Sequence, residues 1–328
     1  MKRNLISLFI LLLFIASCSK APQTIPEEDL AENEKYLLSF TVSGFSQDLL
    51  PFPEKLQSTN ALSTNSLVNI RDYFNTLKII VYYRNDVIDS VIQYADDPDF
   101  GQYSKYYPPS QSVSFPYNVV IIGAMLDNPD EEIVFEEMDQ ITYSRVSISP
   151  NPADAFFAVK TFVLSPEPTH ETIQLQRFVG RLDVQLDEEI PNTADQIEVT
   201  IENTAKYFMP VEKRGYHIDR IIKNDNVPYN TVKRIKINPE DTGRQDFSFS
   251  TYFMLKSILG SEAETSKVVI RAYNQDGKEI TKREIPNVII QANKRTKLRG
   301  LLFTSPPNMG FDMEIESDWD SEIPEFKF

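Results

Sequence analysis

The chain has 328 residues, 48 of them acidic and 33 basic, giving a formal net charge of −15 and a pI near 4.7. That balance argues against nucleic-acid binding, which needs a basic footprint, and against adhesion to anionic lipid by charge alone. One cysteine leaves no internal disulfide and no thiolate metal cluster, so stability must come from burying the 41% of hydrophobic residues.

Residues 1–18 read MKRNLISLFILLLFIASC. Lys2 and Arg3 precede an apolar run, Leu5 to Ile15, too short for a permanent span of roughly twenty residues. Ala16 and Ser17 are small, as a cleavage site requires, and the sole cysteine, Cys18, follows. Ile15-Ala16-Ser17-Cys18 resembles the lipobox of bacterial lipoproteins. That resemblance implies a signal peptide over 1–17, diacylglycerol on the Cys18 sulfur and an acyl group on its amine. Each buried methylene adds about 0.8 kcal/mol of anchoring. Ser19, where an Asp would signal retention, resembles outer-membrane sorting. Residues 18–35 contain Pro22, Pro26 and Glu27-Glu28-Asp29 without apolar periodicity, so a lipidated flexible spacer is expected there.

Order is expected from Tyr36. Leu38, Phe40 and Val42 alternate with Ser39, Thr41 and Ser43, a half-buried strand. Leu77 to Tyr83 and Val87 to Tyr94 form a hairpin across Arg84-Asn85-Asp86. Residues 96–110 are expected as a loop carrying Tyr103, Tyr106 and Tyr107. Val119 to Ile122 marks a central strand, a short helix is expected around 133–138, and strands follow at 144–148 and 156–164. Beyond Pro166 and Pro168, Ile173 and Leu175 are out of phase with Phe178, Gly180, Leu182, Val184 and Leu186, which predicts a bulge near Arg177. Alternation recurs at 197–201, 247–253 and 268–272. Asn274 to Gly277 forms a hairpin turn, and strands are expected at 279–284, 288–290, 297–303 and 311–315. No dozen residues hold a helical period. The expectation is an all-β chain with two successive β-sandwich domains, 36–168 and 169–328, and no short tandem repeat.

The stretch Arg177-Phe-Val-Gly-Arg-Leu-Asp-Val-Gln-Leu186 resembles the mid-chain strand of the fimbrillin family. Pro191 to Asn203 resembles the strand that follows it, and Ala292 to Gly300 with Trp319 resembles the closing segment. The resemblance implies two tandem transthyretin-like sandwiches and a structural role in type V fimbriae. It implies no catalysis and no cofactor beyond the lipid on Cys18. Its partners would be other fimbrial subunits and, through the lipid, the outer membrane. In such fibres a protease cuts after an arginine and a neighbour's strand fills the groove that is freed. Here no arginine lies between Cys18 and Tyr36, and the first after Cys18 is Arg71. This departure favours an anchor subunit that keeps its lipid. Cleavage after Arg71 would instead give a stalk or accessory subunit.

Other candidate sites are weighed on their residues. Phe311, Met313 and Ile315 alternate either as an intersubunit strand or as the last strand of the second domain. Tyr103, Tyr106 and Tyr107 could stack on a glycan or dock a host protein, but covering the end of the first domain explains them as well. His170 and His217 lack metal-site spacing, and the acidic clusters at 127–132 and 312–320 lack calcium-loop spacing, so no metal is expected. No phosphate loop or GxSxG elbow occurs, and no catalytic residue is expected. The rival class is a glycan-binding surface lipoprotein.

Overall fold

The computed structural model describes residues 34–43, 69–110, 115–126, 133–136, 145–148, 153–216, 229–256, 263–304 and 311–316. The first half carries β1 (Tyr36–Ser43), β2 (Thr76–Tyr83), β3 (Asp86–Tyr94), β4 (Gln102–Tyr107), β5 (Tyr117–Ala124), β6 (Ile133–Glu136), β7 (Arg145–Ile148), β8 (Ala155–Phe162), β9 (Thr169–Gln174) and β10 (Gln176–Arg177). The second carries β11 (Val179–Leu186), β12 (Gln196–Thr204), β13 (Tyr207–Met209), β14 (Arg214–Tyr216), β15 (Tyr229–Lys236), β16 (Phe247–Met254), β17 (Glu264–Tyr273), β18 (Glu279–Ile290), β19 (Arg295–Gly300) and β20 (Phe311–Glu316). Among the described residues the only helical pieces are the 3-10 turns Ile70–Asp72 and Pro239–Asp241. The chain is all-β, as its alternation predicts.

The strand pairings repeat. One sheet runs β4-β1-β9 and faces a second whose order is β10-β8-β5-β2-β3. In the second half, β16-β11-β19-β20 faces β15-β12-β17-β18. Substituting β11, β12, β15, β16, β17, β18 and β19 for β1, β2, β3, β4, β5, β8 and β9 reproduces every neighbour. It also reproduces every direction, including one parallel pair per half, β1–β9 and β11–β19. The two halves are therefore copies of one seven-strand sandwich, with no matching sequence repeat. The sequence boundary expected at 168/169 falls immediately before β9, whose partner is β1.

Each copy contains one inserted hairpin, β6–β7 in the first and β13–β14 in the second. The two hairpins meet through Phe208 and Val146 and build a shared sheet, β14-β13-β7-β6. This sheet contributes to a third core. Ile80, Tyr82, Val120, Ile122 and Phe157 from the five-stranded sheet meet Val146, Phe178, Phe208 and Met254 there. The five-stranded sheet is thus buried on both faces, which is why β2 and β5 read as continuous apolar runs rather than as alternation.

Several expected elements differ. Residues 102–107 form strand β4 instead of loop, and 133–136 form strand β6 instead of helix. The phase flip near Arg177 is a change of sheet, not a bulge within one strand. Ile173 and Leu175 face the first core, Phe178 and Val179 the third, and Leu182 onward the second. The two strands expected at 279–284 and 288–290 are the single strand β18, with its register shift in the β17 pairing.

Candidate functional site

Strand edges are the chemically active feature of this fold, because an unpaired row of N–H and C=O groups can accept another chain. In the second copy, β20 fills the position beside β19, antiparallel, with Leu298 opposite Met313. Phe311 and Met313 pack against the second core, and the Ile289 amide donates to the Met313 sulfur at 3.3 Å. Ile315 is half-buried on the same strand. On the outer face the basic residues Arg295, Lys297 and Arg299 stand opposite Glu316, Glu314 and Asp312. Opposite charges in cross-strand pairs specify partner and register, at roughly 0.2–1 kcal/mol each. The two segments Arg-x-Lys-x-Arg and Asp-x-Glu-x-Glu are a legible pairing signal in the sequence, overlooked when only the apolar positions are followed.

The same position in the first copy, beside β9, is unfilled among the described residues. The edge of β9 alternates exposed His170, Thr172 and Gln174 with half-buried Glu171 and buried Ile173. His170 is fixed on the outer face by Ser39, 2.7 Å from Nδ1, and Thr41, 2.8 Å from Nε2. Both ring nitrogens meet hydroxyls, so no carboxylate orients the imidazole as a serine hydrolase requires. Glu171 points the other way and closes the sandwich side through Lys160, 2.6 Å away.

The central strand of that sheet, β1, is firmly held. Leu38, Phe40 and Val42 are at most 2% exposed, and the Phe40 ring stacks on Tyr103 and Phe162 at 5.1 and 5.9 Å. Arg71 lies within the Ile70–Asp72 turn, not in an extended segment. Its guanidinium donates to the carbonyls of Ala95 (2.7 Å) and Asp97 (2.9 Å) and lies over Phe100 at 5.3 Å.

The three tyrosines part company. Tyr106 is 62% exposed on the outer face of β4, whereas Tyr103 and Tyr107 are buried. Both buried hydroxyls donate to Asp89 on β3, at 2.5 and 2.8 Å, and Lys105 pairs with the same carboxylate at 2.8 Å. The cluster clips β4 to β3 across the open side of the sandwich. Burial pushes both tyrosines well above their ordinary pKa. Burial also pushes the Asp89 carboxyl upward, but the hydrogen bonds from Lys105, Tyr103 and Tyr107 outweigh it and hold the group below its usual 3.8. A depressed carboxyl stabilises the fold fully above its unfolded pKa, and that stability is lost as the pH falls through the folded value. Asp89→Asn is expected to cost about 1–3 kcal/mol at pH 7 and to flatten the acid limb of the stability curve below about pH 4. Urea titrations from pH 2 to 7 measure both effects.

Where the two copies join, Arg177 is fully buried. It forms a two-point pair with Asp154 at 2.7 and 2.9 Å, lies over Phe156, and reaches Asn293 at 3.3 Å. Burial raises the Asp154 carboxyl against the pull of Arg177. Among the described residues no group of His, Cys, Asp and Glu could hold a metal ion. Cys18, His217, Trp319 and the acidic cluster at 127–132 lie outside the described residues.

A family model described as a family of unknown function, DUF6562, matches residues 134–327. The chain belongs to this family. No curated protein matches the chain. Solved structures align along nearly all of it at low identity. A Bacteroides thetaiotaomicron protein described as an adhesin shows 14% identity over 89% of this chain and 98% of its own, with a TM-score of 0.44. A fimbrial assembly protein from Parabacteroides distasonis shows 10% identity over 86% and 96%, with a TM-score of 0.42. The C-terminally truncated tip fimbrial protein Mfa3 from Porphyromonas gingivalis shows 10% identity over 85% and 99%, with a TM-score of 0.38. At these scores the likeness decides nothing about function.

Proposed function

We propose that this DUF6562 protein is a lipid-anchored surface subunit, without catalytic activity, that holds a neighbouring chain by strand addition in a type V fimbria. The observation that carries this reading is the repeated sandwich in which, among the described residues, only the second copy has its eighth position filled. The place beside β9 is the counterpart of the one β20 occupies beside β19, so it presents an acceptor edge without any cleavage. The burial of β1 and the tethering of Arg71 support a subunit that keeps its N-terminus, and with it the lipid on Cys18. The charge-matched docking of β20 supports its role as the last strand of its own sandwich.

Two measurements test the proposal in cells. Radiolabelled palmitate is expected to enter the wild-type protein, and Cys18→Ala is expected to lose the label and move to the soluble fraction. With Cys18 acylated, a cysteine introduced by Thr172→Cys is the only free thiol. A maleimide–diazirine reagent attached to that thiol is expected, on irradiation, to link it to a fimbrial subunit by insertion into the partner's X–H bonds, with no thiol needed there. Unlabelled wild-type protein sinks the anchor; a Thr172→Cys protein that links to nothing in fimbriated cells sinks the acceptor edge.

A further inference from the structure

The outer face of β16-β11-β19-β20 is a groove of about 670 Å³, within the roughly 300–1,000 Å³ of small-ligand sites. Four basic and four acidic side chains line it. The lining is therefore electrically balanced in a chain whose net charge is −15. The charges are fixed in place: Asp183 accepts from Arg181 at 2.6 Å and from Arg295 at 2.5 Å, and Arg181 also donates to Ser250 at 2.8 Å. Gln185 and Lys297 stand on neighbouring positions of the same face.

We infer that this groove binds a neutral oligosaccharide. An anionic ligand would meet carboxylates and a cationic one would meet guanidinium groups. An apolar ligand would strip water from eight charges with nothing in return. A sugar hydroxyl both donates and accepts, so adjacent fixed donors and acceptors satisfy it without reorganisation. The site is independent of the acylation of Cys18 and of the β9 edge, and it does not involve Tyr106, which lies on β4 of the other sandwich.

The test uses the full mature chain on an array of neutral and acidic oligosaccharides, followed by calorimetric titration with the strongest neutral binder and with its free monosaccharide. At least one neutral oligosaccharide is expected to bind. Its affinity is expected to fall tenfold or more in both Gln185→Ala and Lys297→Ala, with cooperative unfolding retained in both, and to be unaffected by Tyr106→Ala. Binding of the oligosaccharide but not of its monosaccharide assigns the groove to a polymer; comparable binding of both assigns it to the free sugar. An array with no neutral hit, hits confined to acidic glycans, or affinity retained in both groove variants overturns the inference.

Discussion

Arg177→Met is expected to lower the unfolding free energy by about 3–5 kcal/mol, the usual consequence of leaving one charge of a buried pair alone. Asp154 would stay in the joint between the two sandwiches without its two-point guanidinium partner. The double variant Arg177→Met, Asp154→Leu removes both charges and should recover much of the loss. Chemical denaturation of these two variants and of Asp154→Leu against wild type gives the coupling directly. A single variant as stable as wild type would show that the pair contributes little.

A chain shortened to begin at Asp72, the product of cleavage after Arg71, is expected not to fold alone. It would lack β1, the middle strand of its sheet, and both β4 and β9 would lose their only ladder partner among the described residues. Burying Leu38, Phe40 and Val42 contributes roughly 5–9 kcal/mol, comparable with the whole stability of a domain. The shortened chain should bind a hydrophobic dye and lose cooperative unfolding. A synthetic peptide spanning Tyr36 to Ser43, added in trans, should abolish the dye binding and restore cooperative unfolding. A shortened chain that is cooperative without peptide would return cleavage after Arg71 to consideration.

Most strands were legible because alternation survives wherever one face is buried: Leu38, Phe40 and Val42, or Ile197, Val199 and Ile201, announce themselves. Three kinds of feature were not. Strands β13 and β14 have three residues each, too few for any period. Strand β15 is a polar edge in which Thr231 and Lys233 take inward positions, so no apolar row marks it. Strand β4 was hidden because Tyr103 and Tyr107 face inward toward Asp89, a half-buried carboxylate on a strand of the opposite sheet that no local pattern signals.

The repeat itself was illegible for a different reason. The copies share pairing partners, not residues, and pairing is a relation between segments far apart in the chain. The hairpins that the copies exchange lie at different points, after the fifth strand of the first copy and after the second strand of the other. Sequence self-comparison at a fixed spacing would therefore find nothing. That β9 is an edge among the described residues where β19 is not follows only from superposing the two strand orders.

The position of β1 also determines how the body would bear a pull. A tether drawn from the N-terminus enters at Tyr36, the first residue of a strand bonded to neighbours along both its sides. Tension along that strand slides it against both ladders at once, so its hydrogen bonds share the strain and must rupture together rather than unzip one at a time.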